Sequence, residues 1–140
     1  MKFLVRLTIL TLILSVSSSA NVLKDHLWKH RVIIIFTEQD LSKEWKNSHE
    51  DLTDRHLIYY QVNNKNQLVT NQQEKITVDS IKAIRAKYHQ PSNQPTQVIL
   101  IGKDGGIKKR ADKLDLKSLY ALIDTMPMRI REMRETNLFL

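Results

Sequence analysis

The fold of this chain is decided by the stretch QPTQVILIGKDGGIKKR, residues 94–110. Residues 98–102 begin with four consecutive aliphatic side chains, a pattern typical of a strand buried on both faces of a sheet. Asp104-Gly105-Gly106 then forms a turn signal, with both glycines expected at positive φ, and an extended pattern resumes at residues 107–110. The stretch therefore predicts a β-hairpin. We interpret its glycines as turn residues, since no phosphate-binding pattern surrounds them.

Two further runs, VIIIF at residues 32–36 and LIYYQV at residues 57–62, also predict strands. The segment between them has helical spacing, with Ser42 as a plausible N-cap. The residues on its predicted inner face are Leu41, Trp45, His49 and Leu52. A strand, one helix and another strand make a βαβ unit, which predicts that the two strands are parallel.

The rest of the chain adds polar and helical segments. Residues 63–75 are amide-rich and predict a surface connection with a short strand at Leu68-Val69. Thr77 and Asp115 are predicted to cap a second and a third helix, and Thr125 to cap a further turn or two that starts at Pro127. The fold class predicted is α/β. It is a thioredoxin-like three-layer sandwich in the order β-α-β-α-β-β-α, with a C-terminal helical extension.

Pro95 stands directly before the predicted strand at residues 98–102. Thioredoxin-like proteins place a cis-proline at this point, so the fold prediction makes Pro95 a candidate cis residue. A trans proline that merely precedes a strand is the alternative.

The first 20 residues have the composition of a signal peptide. Lys2 and Arg6 provide a basic start, an apolar centre follows, and Ser18-Ser19-Ala20 provides a small-residue cleavage site. A membrane anchor is the alternative, but the apolar run is short for a span. We therefore expect cleavage near Ala20, an exported protein in the periplasm or outside the cell, and one domain over residues 21–140. Its formal charge would be +5, because the leader removes two of the basic residues that give the whole chain +7.

Four stretches carry a family resemblance. They are VILIGKDGGIKKR (98–110), LYALIDTMPMRIREMRE (119–135), WKHRVIIIF (28–36) and DRHLIYY (54–60). The chain resembles the thioredoxin-like domain family of unknown function called P-DUDES. That family occurs in secreted bacterial proteins and in vertebrate coiled-coil-domain-containing and sushi-repeat-containing matrix proteins. The resemblance implies a thioredoxin- or peroxiredoxin-like fold, export and, from the vertebrate relatives, association with heparin-like polyanions. It supplies no catalytic residue.

The chain contains no cysteine, so disulfides and thiol redox catalysis are excluded. In thioredoxin-like enzymes the reactive thiol lies at the start of the first core helix, which here corresponds to residues 37–42. Glu38 and Asp40 fit better there as helix-start and capping residues than as part of a site. No catalytic residue is assigned. A cysteine-independent peroxidase- or hydrolase-like enzyme with its site at this position is the alternative to a binding domain.

Metal and cofactor sites have weak support. His26 and His30 are four residues apart, as two ligands on one helix face would be, but nothing nearby completes a site. The expectation for the five histidines is scattered surface positions. Met126, Met128 and Met133 could offer thioethers to Cu(I), although methionines near a helix junction usually pack against neighbours. We expect no cofactor and no metal.

Basic residues cluster in the hairpin and the tail, with Lys109, Lys113 and Lys117 among them. One interpretation is protection of an edge strand together with a solvated helix. The other is a surface for an acidic protein or a polysaccharide. Nucleic acid is not expected, nor is membrane binding after cleavage of the leader. The proposed binding residues are Lys103, Lys108, Arg110, Arg129, Arg131 and Arg134.

Overall fold

The computed structural model describes residues 22–140. The predicted signal peptide lies outside the described residues. Within residues 22–140 the chain forms a mixed α/β domain with one five-stranded sheet and five α-helices. The arrangement is compatible with the predicted thioredoxin-like fold. None of the helices in this range combines the length and the apolar character that crossing a membrane would require.

The described residues contain all of the predicted strands. In chain order the elements are a 3-10 helix at Val22–His26, β1 at Arg31–Phe36, α1 at Ser42–Asn47, α2 at His49–Asp54, β2 at Leu57–Val62, β3 at Leu68–Thr70, α3 at Val78–Tyr88, β4 at Gln97–Ile101, β5 at Ile107–Ala111, α4 at Leu116–Asp124 and α5 at Pro127–Leu138. The strand order in the sheet is β3-β2-β1-β4-β5. β1 and β2 are parallel, as the βαβ prediction requires, and the other neighbouring pairs are antiparallel.

The sheet separates two apolar layers. All six residues of β1 are buried, and its side chains alternate between the two faces. Ile34 faces the layer that contains the buried side chains of α3, whereas Ile33 and Ile35 face the layer that contains those of α1, α2 and α4. Burying one such isoleucine contributes about 1.5–3 kcal/mol, so this central strand supplies much of the core energy.

The prediction of a single helix over residues 41–52 is wrong in one respect, because the segment breaks at Ser48. The Ser48 amide bonds the carbonyls of Glu44 and Trp45, which ends α1, and α2 starts at the next residue. The break leaves His49 exposed. Ser42 is not the N-cap either. Leu41 holds that position, and the Asp40 carboxylate accepts the Ser42 amide at 3.0 Å.

Two of the predicted caps are confirmed and one is wrong. Thr77 accepts the Ser80 amide at 3.2 Å, and Asp115 accepts the Ser118 amide at 3.0 Å. Thr125 ends α4 instead of capping the next helix. α5 has no side-chain cap and runs for 12 residues, much longer than the predicted turn or two.

The hairpin between β4 and β5 has the predicted turn. Gly105 has a φ of 80° and its amide bonds the Gly102 carbonyl at 3.0 Å, whereas Gly106 does not adopt positive φ. The register shifts between Leu100 and Ile101, which pair with Lys109 and Ile107. Lys108 is therefore the extra residue of a bulge, a feature that redirects a side chain at a sheet edge. β5 is an edge strand of this sheet.

Pro95 is not a cis residue, since no cis peptide bond occurs within residues 22–140. The trans form is the ordinary preference of an X-Pro bond, by about 0.5–1 kcal/mol. The neighbouring residue Thr96 is buried, and its hydroxyl lies 2.8 Å from that of Thr37. This hydroxyl pair joins the start of β4 to the end of β1.

Candidate anion-binding site

The four sequence stretches that carry the family resemblance meet at one end of the sheet. Arg31 starts β1, His56 precedes β2, and Lys103 follows β4. Because β4 is antiparallel to β1, with Val32 opposite Ile101, these three residues lie at the same end. This is the opposite end of β1 from residues 37–42, where a thioredoxin-like redox site would lie.

Glu132 of α5 is the anion at the centre of this end. Arg31 donates to both of its carboxylate oxygens, at 3.1 and 3.3 Å, and the Lys103 ammonium donates to one of them. Arg31 is 1% exposed and Lys103 is 7% exposed. The contact between Arg31 and Glu132 spans 101 residues of sequence and fastens α5 to the sheet.

The electrostatics keep Glu132 ionised. Partial burial on its own raises the pKa of the Glu132 carboxyl, but hydrogen bonds from Arg31 and Lys103 outweigh that effect and lower the pKa overall. Two buried cations therefore share one carboxylate at neutral pH. We call Arg31, His56, Lys103 and Glu132 the Glu132 cluster.

His56 completes the cluster as a neutral acceptor. Its Nδ1 lies 2.8 Å from the Lys103 ammonium, and its backbone has a φ of 51°. Burial, followed by the charge of Lys103, lowers the pKa of the imidazole. A neutral ring can accept from Lys103, whereas a protonated ring would repel it.

Arg129 belongs to a second, adjoining set of ion pairs. It is 4% exposed and donates to the Asp124 carboxylate at 3.1 Å, to the Asp54 carbonyl at 2.8 Å and to the Asp54 carboxylate. Arg55 shares Asp124, at 2.8 Å, and stacks on the Tyr120 ring. Burial raises the pKa of Asp124, but its two arginine partners lower it by more. Arg129 is thus neutralised by acids of its own domain.

A cavity of about 340 Å³ opens beside the Glu132 cluster. The side chains around it include buried cations and a group of apolar residues at the start of α5. Its lining residues, which we call the cationic pocket, are Arg31, Gly102, Lys103, Asp104, Lys108, Met126, Pro127 and Met128. The GKD part of the hairpin and the MPM part of the tail therefore form one site.

The charges around the cationic pocket do not cancel. The cations are Arg31, Lys103 and Lys108, and the anions are Glu132 and Asp104, which binds the Lys108 ammonium at 2.8 Å. Among the lining residues and Glu132, one positive charge is in excess; Glu132 also lies 3.8 Å from Arg129, whose charge the adjoining aspartates balance. The first turn of α5, which has no side-chain cap, adds to the positive potential at this point.

The six proposed binding residues do not form one surface. Lys103 and Arg129 are buried in ion pairs, and Lys103 and Lys108 line the cationic pocket. Arg110 donates to the Tyr88 carbonyl at 3.0 Å and lines a different groove. The exposed members on α5 are Arg131 and Arg134.

Arg131 and Arg134 continue from the cationic pocket along α5. Pro127, Arg131 and Arg134 stand at positions i, i+4 and i+7, which share one helix face. Neither arginine has an ion pair within residues 22–140. We call Arg131 and Arg134 the arginine strip.

Sequence reasoning missed Arg31 and Glu132, the residues that organise this end. An arginine directly before an apolar run and an acid placed between the arginines of α5 were the available signals. Neither signal indicates the other as its partner.

The start of the first core helix has its polar groups engaged in structural contacts. The Glu38 carboxylate accepts the Asn64 amide, and Asp40 accepts the Ser42 amide. That backbone hydrogen bond lowers the pKa of Asp40. A groove of about 500 Å³ lies next to Pro95, between residues of the segments 90–92, 94, 96–99 and 110–112, with no contribution from residues 37–42 or from Pro95 itself.

The expectation that all five histidines occupy scattered surface positions is wrong for His26, which is buried. Its Nδ1 lies 3.1 Å from Nδ1 of His30, and its Nε2 lies 2.6 Å from the hydroxyl of the buried Tyr60. Burial lowers the pKa of His26 and of His30. Within residues 22–140 no group of three or more His, Cys, Asp or Glu residues is arranged to hold a metal ion.

Residues 22–140 define a mixed α/β domain whose sheet is compatible with a thioredoxin-like fold and whose cysteine-free site is a cationic pocket. The family model described as a domain of unknown function, DUF4174, matches residues 22–132, and the chain belongs to this family. Comparisons with curated proteins and with solved structures found no significant match. The narrower assignment to the P-DUDES family stays a prediction.

Proposed function

We propose that this protein is an exported, redox-inactive binding domain that recognises an acidic protein or polysaccharide. The observation that carries the proposal is the arginine strip beside a pocket with excess positive charge. The acids that adjoin the cationic pocket and Arg129 are engaged in internal ion pairs, and the exposed guanidinium groups of Arg131 and Arg134 have none within residues 22–140.

The arrangement favours an external anion on physical grounds. Arg131 and Arg134 are three residues apart on a helix, and like charges at this spacing destabilise a helix by about 0.2–0.5 kcal/mol, a cost that Glu135, four residues after Arg131, offsets only in part. A bound polyanion would relieve that repulsion. Guanidinium groups also form paired hydrogen bonds with carboxylate, sulfate and phosphate.

The alternative is a cysteine-independent peroxidase- or hydrolase-like enzyme at the start of the first core helix. This alternative has less support, because Glu38 and Asp40 accept backbone amides there and the neighbouring groove is formed by other residues. Protection of the β5 edge accounts for Lys109, and a solvated helix is the corresponding alternative for Arg131 and Arg134, which predicts no preference for a polyanion over other anions.

Retention on heparin tests the proposal. Arg131→Glu/Arg134→Glu should elute at clearly lower salt than the unmodified protein, because both positions face outward and the folded state should persist. Arg129 is left unchanged in this variant, since its loss would disturb the buried ion pairs.

The matched control is Lys43→Glu/Lys82→Glu, which changes net charge equally at exposed positions on α1 and α3. It should shift elution much less than the arginine variant. Equal shifts for the two variants would mean that heparin responds to net charge alone, and the proposed surface would be wrong.

A further inference from the structure

We propose that the cationic pocket binds an organic monoanion in which a carboxylate is joined to a short aliphatic group. This inference rests on the proposed function, because it names the kind of group that the cationic end of the domain accepts. It is carried by three features of the pocket: its excess charge, its apolar wall and the partnership of its cations with Glu132.

The cations of the pocket are held in place before any ligand arrives. Arg31 and Lys103 are almost completely buried, and Glu132 binds both. Donors that are already ordered lose little entropy when they take a ligand. The single excess positive charge matches one carboxylate, whereas a dianion would reverse the local charge.

The wall of the pocket selects an apolar group. Met126, Pro127 and Met128 form one side of it. Methionine side chains adapt to ligands of different shape. A cavity of about 340 Å³ is within the range of small-molecule sites. An inorganic anion would satisfy the cations but leave this wall in contact with water.

The ligand carboxylate would compete with Glu132 for the same donors. Arg31 and Lys103 each donate to Glu132. Glu132→Gln removes the competing charge and keeps the side-chain shape, so ligand binding should become stronger.

Methyl NMR of protein labelled with ¹³C at the methionine methyl groups provides the test. Titration with hexanoate should shift the signals of Met126 and Met128 and leave that of Met133 unchanged, since Met133 does not line the pocket. Affinity should increase from acetate to butyrate to hexanoate, by about fourfold for each buried methylene. Hexanol, which lacks the charge, should bind much more weakly.

Two lysine variants give a comparison that does not depend on the stability of the Glu132 cluster. Lys108→Gln should weaken hexanoate binding severalfold, because Lys108 lines the pocket. Lys109→Gln should leave it unchanged, because Lys109 is the neighbouring exposed residue of β5 and is not part of the lining. Equal affinity for acetate, sulfate and hexanoate, or equal effects of the two variants, would overturn the inference.

The outcomes separate this inference from the proposed function. If hexanoate shifts the two methyl signals while the arginine variant retains its heparin affinity, the pocket stands and the polyanion partner is wrong. If heparin retention falls while hexanoate leaves both signals unmoved, the inference about the pocket is overturned and the proposed function stands.

Discussion

Replacing Glu132 by glutamine should destabilise the protein by about 3 kcal/mol at pH 7. The substitution leaves two buried cations, Arg31 and Lys103, without their carboxylate. Removing one partner of a buried pair costs about 3–5 kcal/mol, and the lower end applies because the Glu132 side chain is 17% exposed. Domains of this kind have total stabilities of about 5–15 kcal/mol, so the loss is measurable by urea denaturation.

The difference between Glu132→Gln and the unmodified protein should disappear in acid. The pKa of Glu132 is lowered in the folded protein from its ordinary value of 4.5. Its contribution is therefore complete above the unfolded pKa and is lost as pH falls through the folded pKa. Below that pH the protonated carboxyl and the glutamine amide are nearly equivalent. Other acids titrate in both proteins, so their effect cancels in the difference.

Urea curves at pH 7 and at a pH below the folded pKa of Glu132 provide the measurement, with Glu135→Gln as the control. Glu135 is exposed on the same helix, so its substitution should change stability by less than about 0.5 kcal/mol. A loss of equal size for Glu132→Gln at both pH values would refute the ion-pair account. So would a loss no greater than that of the control.

Three further predictions concern the rest of the fold. Thr77→Ala should cost about 1 kcal/mol in urea, because the Ser80 amide loses its acceptor, whereas Thr77→Ser should cost little. Gly105→Ala should cost about 1–2 kcal/mol, because φ is 80° there, and Gly106→Ala should cost less; similar costs would contradict the turn assignment. Stability should fall between pH 7 and pH 5, because burial lowers the pKa of His30 below 6.5 and the unfolded chain then binds more protons. His30→Gln should reduce that fall, and an unchanged pH profile would show that the pair with His26 does not contribute.

The strands and most helices could be predicted because their signals are local. The apolar runs at residues 32–36 and 98–102 have a composition that only the interior of a sheet accommodates, and both are buried strands. Thr77 and Asp115 were predictable caps, because Thr and Asp are favoured directly before an apolar helical pattern. In the structure each accepts an amide three residues later. The break at Ser48 was not predictable. The apolar spacing continues across Ser48. The break is visible only in the backbone hydrogen bonds, because the Ser48 amide bonds the carbonyls of both Glu44 and Trp45.

The candidate site could be predicted only in part, because its organisation depends on contacts between distant residues. The sequence indicated a cluster of cations, and Lys103 and Lys108 do line one pocket. It could not indicate that Arg129 is neutralised by Asp54, 75 residues away, or that Arg31 meets Glu132. Arginines that are close in sequence therefore end in different places. Arg129 is buried because acids from elsewhere in the chain pair with it, whereas Arg131 and Arg134 stay at the surface.

The way α5 is attached has a consequence for the dynamics of the domain. Arg129 is the buried residue of this helix, whereas α4 contributes Leu119 and Ile123 to the apolar core. Buried ion pairs are screened only weakly by salt, but they are lost when their carboxylates are protonated. Opening of α5 should therefore be an event separate from global unfolding, one that becomes more frequent as pH falls through the folded pKa values of Asp124 and Glu132. After correction for the intrinsic pH dependence of amide exchange, protection in α5 should be lost at a higher pH than protection in β1.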